Sequence, residues 1–120
     1  MMTDFTRDKP IYSQLVDRIC GEIIKGHLRL GDKLPSVREY AVESGVNVNT
    51  VQRVYKELEL MQLTETKRGQ GTFITMDEAR IHQLRDEMKA QLADHFLSSI
   101  EALGFSQEEM IQVLQQRGKA

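Results

Sequence analysis

The sequence predicts a mainly α fold with one small β-hairpin, arranged as a winged helix-turn-helix followed by a two-helix tail. Three observations carry this. Apolar residues recur at helical spacing through three successive segments, the period changes to two between Leu63 and Thr75, and helical spacing then returns from Ile81. A chain of 120 residues has room for one compact domain and an appendage. The expected division is a winged domain over residues 1–75 and a helical dimerisation tail over 76–120.

Residues 1–9 are polar and expected to be loosely ordered. Pro10 suits the first position of a helix, where its missing N–H costs nothing. Ile11, Leu15, Ile19 and Ile23, with Val16 and Ile24 beside them, then form one apolar stripe, and Gly26 can end the helix in a left-handed cap. Gly31-Asp32 marks a loop that returns the chain. Pro35-Ser36 opens a short second helix through about Glu43, with Ser36 and Glu39 at capping-box spacing, and Ser44-Gly45 breaks it. A third helix runs from about Asn49 to Met61. It turns Val51, Val54, Tyr55 and Leu58 inward and Asn49, Gln52, Arg53 and Lys56 outward. Leu63–Thr66 and Thr72–Thr75 are short β-type runs joined by a basic tip, Lys67-Arg68-Gly69-Gln70-Gly71.

In the tail, Ile81, Leu84, Met88, Leu92, Phe96, Ile100 and Leu103 make a stripe that Gly104 stops. Ser106 and Glu109 repeat the capping-box spacing and start a last helix with Met110, Val113 and Leu114. Two helices cannot cover both apolar stripes by themselves. They must pack on the winged domain, on a second copy, or on both.

Charge alone says little about partners, since the formal net charge is −2. Residues 1–75 hold 11 basic and 10 acidic side chains, and the tail holds 5 and 8. One cysteine, Cys20, excludes an internal disulfide and suits a reducing compartment. No apolar run is long enough to span a membrane, and the N-terminus lacks a secretory pattern, so a cytoplasmic location is expected.

The chemistry concentrates at three places. The start of the third helix offers Asn47, Asn49, Thr50, Gln52 and Arg53, amides and a guanidinium suited to base edges in a major groove. Arg38, in the first turn of the second helix beside Ser36, can meet a phosphate or a guanine. At the hairpin tip, Lys67 and Arg68 are cations for phosphates, and Gly69 and Gly71, flanking Gln70, permit close backbone approach. The tip lacks both the spacing and the following helix of a nucleotide-binding loop.

Leu28-x-x-Gly31-Asp32-Lys33-Leu34-Pro35-Ser36-Val37-Arg38-Glu39, Asn47-Val48-Asn49-Thr50-Val51-Gln52 and Arg68-Gly69-Gln70-Gly71-Thr72-Phe73 resemble, in order, motifs of the GntR family of bacterial transcription regulators. The resemblance covers about residues 10–75. It implies a DNA-contacting arginine at Arg38 and a wing-tip glycine at Gly69. A second arginine of many members falls on Val48, so Asn47 or Asn49 is expected to take over its base contact. The short tail is similar to that of the YtrA subfamily, which implies dimerisation through the tail, no large effector domain and repression of an operon, often of transporter genes.

The expected function is therefore a homodimeric, sequence-specific repressor on double-stranded DNA, with a palindromic operator whose half-sites lie about one helical turn, near 34 Å, apart. The dimer contact is expected from Ile81, Leu84, Met88, Leu92, Phe96, Ile100, Leu103, Met110 and Leu114. A small-molecule effector of unknown identity is allowed for, and no cofactor or metal is expected. The alternative is a winged-helix protein-interaction module, for which the acidic balance and Val48 speak. No nucleophile, base and orienting group are arranged for an enzyme. His82 and Asp86, four residues apart, read as a solvated face rather than metal ligands, His95 as partly buried and structural, and Cys20 as a small core residue.

Overall fold

The computed structural model describes residues 9–118; the expected loose order of the N-terminal residues lies outside them, apart from Lys9. Helix α1 spans Ile11–Ile24, α2 Val37–Ser44 and α3 Val48–Leu60. Strands β1, Thr64–Lys67, and β2, Gly71–Ile74, pair antiparallel with Thr64 opposite Ile74 and Lys67 opposite Gly71. Helices α4, Glu78–Leu103, and α5, Gln107–Arg117, complete the chain. This is the winged helix-turn-helix with two further helices.

Helix α3 is the centre of the fold, packing on α1, α2 and β1. Leu15 of α1, Val51, Val54 and Leu58 of α3, and Leu63 just before β1 lose all solvent contact. Fully burying each such side chain is worth about 1.5–3 kcal/mol relative to leaving it in water. Ile11 heads the predicted stripe yet stays exposed, while Cys20 is buried. The first turn of α1 reaches past the core, and the stripe drifts one residue round the helix. Pro10 sits one residue earlier than expected, as the cap of α1 with extended ψ of 145°.

The segment before α2 serves the wing as a third rung. The Leu34 N–H donates to the Thr72 carbonyl at 2.8 Å, and the Ile74 N–H donates to the Asp32 carbonyl at 2.8 Å. Strand β2 thus has backbone partners on both sides, and the hairpin is tied to the entrance of α2. A two-stranded hairpin alone is only marginally stable, so this rung matters for holding the wing in place.

Helices α1, α2, α3 and α4 all end in the same pair of bonds, six-to-one and five-to-two. At α3 the Leu63 N–H reaches the Leu58 carbonyl at 3.0 Å and the Gln62 N–H reaches Glu59 at 2.9 Å. The left-handed position is glycine in α1, α2 and α4, but in α3 it is Gln62, with φ of +63°.

Two compact units divide between Leu84 and Arg85. The sequence places the boundary at 75/76, but the start of α4 goes with the winged unit. Arg80 Nε donates to the Met61 carbonyl at 2.8 Å, and Leu84 is 1% exposed. In the second unit Ile100 is buried, while Leu92, Leu103 and Leu114 are 69%, 71% and 54% exposed. The second capping box forms as expected: Ser106 Oγ accepts from the Glu109 N–H, and Glu109 accepts from the Ser106 N–H.

Candidate nucleic-acid interface

Helix α2 begins with a complete capping box. Ser36 Oγ accepts from the Glu39 N–H at 3.1 Å, and the Ser36 N–H donates to Glu39 Oε1 at 2.8 Å. That backbone donor, helped by the Ser36 side chain, holds the Glu39 carboxyl below its usual range. Glu39 is therefore engaged with its own helix start rather than with its neighbour Arg38. The Arg38 side chain is exposed and has no ion pair among the described residues. A cation without an internal partner, beside a helix N-terminus, suits an incoming anion.

Asn47 caps α3, its Oδ1 accepting from the Asn49 N–H at 2.7 Å. Its carbonyl oxygen is thereby occupied, leaving the amide NH2 as the group still able to donate outward. Asn49, Gln52, Arg53 and Lys56 are exposed and Thr50 is partly covered. Val48 is exposed as the first residue of α3. Arg53 stands apart from the amides: its guanidinium stacks 3.7 Å from the centre of the Tyr12 ring on α1.

The wing tip turns through Arg68, Gly69 and Gln70, closed by the Gln70 N–H on the Lys67 carbonyl at 2.8 Å. Gly69 takes φ of +75° there, a conformation that side chains rarely adopt. Gly71 also takes a positive φ, +124°, and a Cβ there would stand 2.7 Å from Cε of the Lys33 side chain that runs beside it. Lys67 Nζ lies 5.0 Å over the Phe73 ring, and Arg68 is exposed. A cleft of about 570 Å3 separates the start of α2 from the wing, lined by Lys33, Ser36, Val37, Lys67, Arg68 and Gln70 among others.

The structure thus brings Ser36 and the wing residues to one cleft, and it adds two residues that sequence spacing does not mark. Lys33 joins the cleft through the β-rung, and Tyr12, which does not line it, meets Arg53 through the α1–α3 packing, both contacts made far along the chain. The remaining polar candidates are ordinary surface groups. His82 lies 3.9 Å from Glu78, and His95 is exposed, correcting its expected partial burial, because nothing among the described residues of its unit packs over it. Among the described residues, no helix is long and apolar enough to cross a membrane.

A helix-turn-helix with a basic wing, an exposed arginine at one helix start and an amide-rich second helix is the architecture of a DNA-binding regulator of transcription. Residues 11–74 match the model of the bacterial regulatory proteins of the gntR family, and the chain belongs to that family. It is 41% identical to the uncharacterized HTH-type transcriptional regulator YhcF of Bacillus subtilis, with 93% of each chain covered. It is 38% identical to the HTH-type transcriptional repressor YtrA of the same organism, over 77% of this chain and 75% of that one. Among solved structures, a GntR family transcriptional regulator from Listeria monocytogenes superposes with a TM-score of 0.86 at 42% identity, covering 93% of this chain and 98% of that one. Family membership favours the DNA-binding reading over the protein-interaction one.

Proposed function

We propose that the chain is a homodimeric repressor that binds a palindromic operator in the cytoplasm, joined to its second copy through the tail. The observation that carries the dimer is the set of leucines left in water on the second unit, Leu92, Leu103 and Leu114. Apolar surface of this kind, continued by Phe105 and Ile111, marks an interaction face. Met88, Phe96 and Met110 of the same unit are partly exposed and extend this face, and Ile81 of the winged unit is partly exposed as well, whereas Leu84 and Ile100 already find cover within one chain. Repression is supported by the likeness to YtrA of Bacillus subtilis, a transcriptional repressor.

On the operator, α3 enters the major groove, with Asn49, Thr50 and Gln52 at base edges and the Asn47 amide beside them. Arg38 meets a guanine or a phosphate at the start of α2. Lys67, Arg68 and the Gly69-Gln70-Gly71 backbone hold phosphates or enter the minor groove. The reading also keeps room for a small-molecule effector. A cavity of about 340 Å3 lies between α1, α2 and α3, walled by Ile19, Leu34, Tyr40 and Tyr55, within the usual size range of ligand pockets.

The test is selection of sites from a random double-stranded library with the purified protein, paired with sedimentation. Enrichment of a palindrome by a dimeric species is expected. A monomer that enriches a single half-site would overturn the homodimer and the palindrome together.

A further inference from the structure

Two kinds of polar side chain share the outer face of α3, and the structure treats them differently. Asn49 and Gln52 are exposed and have no partner for their amides among the described residues. Arg53 instead folds back onto Tyr12, with its guanidinium carbon 3.7 Å from the ring centre. Tyr12 sits in the first turn of α1, outside the helix-turn-helix. The ring holds the cation from one side, and no carboxylate among the described residues takes up its N–H groups. Arg53 forms no ion pair among the described residues.

A guanidinium held against an aromatic ring, with no carboxylate on its N–H groups, can offer two parallel bonds to one phosphate. Reading a guanine asks the same side chain to extend from the helix into the groove, away from the ring that now holds it. We infer that Tyr12 and Arg53 form a phosphate-binding pair at the α1–α3 edge, in which Arg53 grips the DNA backbone and Tyr12 positions it. This inference rests on the DNA-binding reading of α3. It assigns Arg53 to affinity rather than to sequence discrimination and makes α1 part of the DNA-contacting surface.

The experiment compares Arg53→Ala, Arg53→Lys, Tyr12→Phe, Tyr12→Ala and the Tyr12→Ala/Arg53→Ala double variant. Each is titrated, at several salt concentrations, with the duplex selected by the wild-type protein and with a shuffled duplex of the same composition. Arg53→Ala should weaken both duplexes by a similar factor, about tenfold, and flatten the salt dependence by about 0.9 per lost phosphate contact. Arg53→Lys should keep the salt slope, since an ammonium still pairs with phosphate as a point charge. Tyr12→Phe retains the ring and should bind as the wild type does. Tyr12→Ala should weaken both duplexes alike, and the double variant should be no weaker than Arg53→Ala, because the two side chains act as one unit.

Loss confined to the selected duplex, or strictly additive effects of Tyr12→Ala and Arg53→Ala, would overturn the pair. The exposed Arg53→Lys change keeps the test readable if Tyr12→Ala unfolds α1. A wild-type protein without salt-dependent binding to either duplex would instead defeat the DNA-binding reading beneath it, and the pair with it.

Discussion

The hydroxyl of Tyr55, in the middle of α3, donates to the carbonyl of Pro35 at 2.6 Å. This bond ties the helix proposed to enter the groove to the residue that precedes the α2 capping box, so the spacing of the two helix starts is set from inside the domain. Tyr55→Phe removes it and leaves the Pro35 carbonyl without that donor. A loss of about 1 kcal/mol in urea-unfolding free energy is expected, with weaker operator binding because the start of α2 is less firmly placed.

The same phenol makes a prediction at high pH. Burial above all, then Tyr40, Glu43 and Glu39 nearby, raise its pKa above the ordinary 10. The unfolded chain therefore loses this proton before the folded one does. Stability should be level below about pH 10 and fall as pH rises beyond it. Tyr55→Phe should shrink that alkaline decline without abolishing it, since burial also raises Tyr40. Melting temperature against pH measures both.

At low pH the Glu39 carboxyl acts in the opposite sense. Its pKa lies below the usual 4.5 because the Ser36 N–H favours the charged form. The capping box should contribute fully above about pH 4.5 and fade as acid protonates Glu39. Glu39→Gln, which can still accept from the Ser36 N–H, should reduce the acid sensitivity of α2. Ser36→Ala should cost about 1 kcal/mol at neutral pH by chemical denaturation.

Gln62 holds a left-handed backbone that glycine fills at the ends of α1, α2 and α4. Gln62→Gly should relieve the strain and stabilise the winged unit by roughly 0.5–1 kcal/mol. Gly45→Ala, the reverse change at the end of α2, should destabilise it by a similar amount. An unfolding series on both variants checks the pair of signs.

Where the tail is cut should decide whether the winged unit survives. Removal of residues 85–120 leaves Arg80 and Leu84 in place and should give a folded monomer. A cut after residue 75 also removes the Arg80–Met61 bond and the buried Leu84. Opening a leucine-sized hole costs about 2–5 kcal/mol. The longer deletion should therefore melt well below the shorter one by circular dichroism.

Arg38→Ala should cost about 1–3 kcal/mol on the selected operator if the side chain meets guanine, and less on a shuffled duplex. Equal losses on both would assign Arg38 to phosphate. Competition binding at fixed salt separates the two outcomes.

The order of elements, both capping boxes, the glycine stops and the basic wing tip are local properties, and the sequence by itself determined them. Each rests on residues within about one helical turn or one hairpin, where spacing and side-chain type decide the backbone. Only the tertiary structure decided that Tyr12 meets Arg53, that Lys33 runs along Gly71, and that Tyr55 reaches Pro35. Those pairs are distant in the chain, and no periodicity encodes which faces of two packed helices come together. Leu84 shows the division within a single helix. Its spacing predicts an apolar stripe continuous with Leu92, yet Leu84 is buried with the winged unit and Leu92 stands in water. Spacing along a helix says which side is apolar; what covers that side depends on the packing around it.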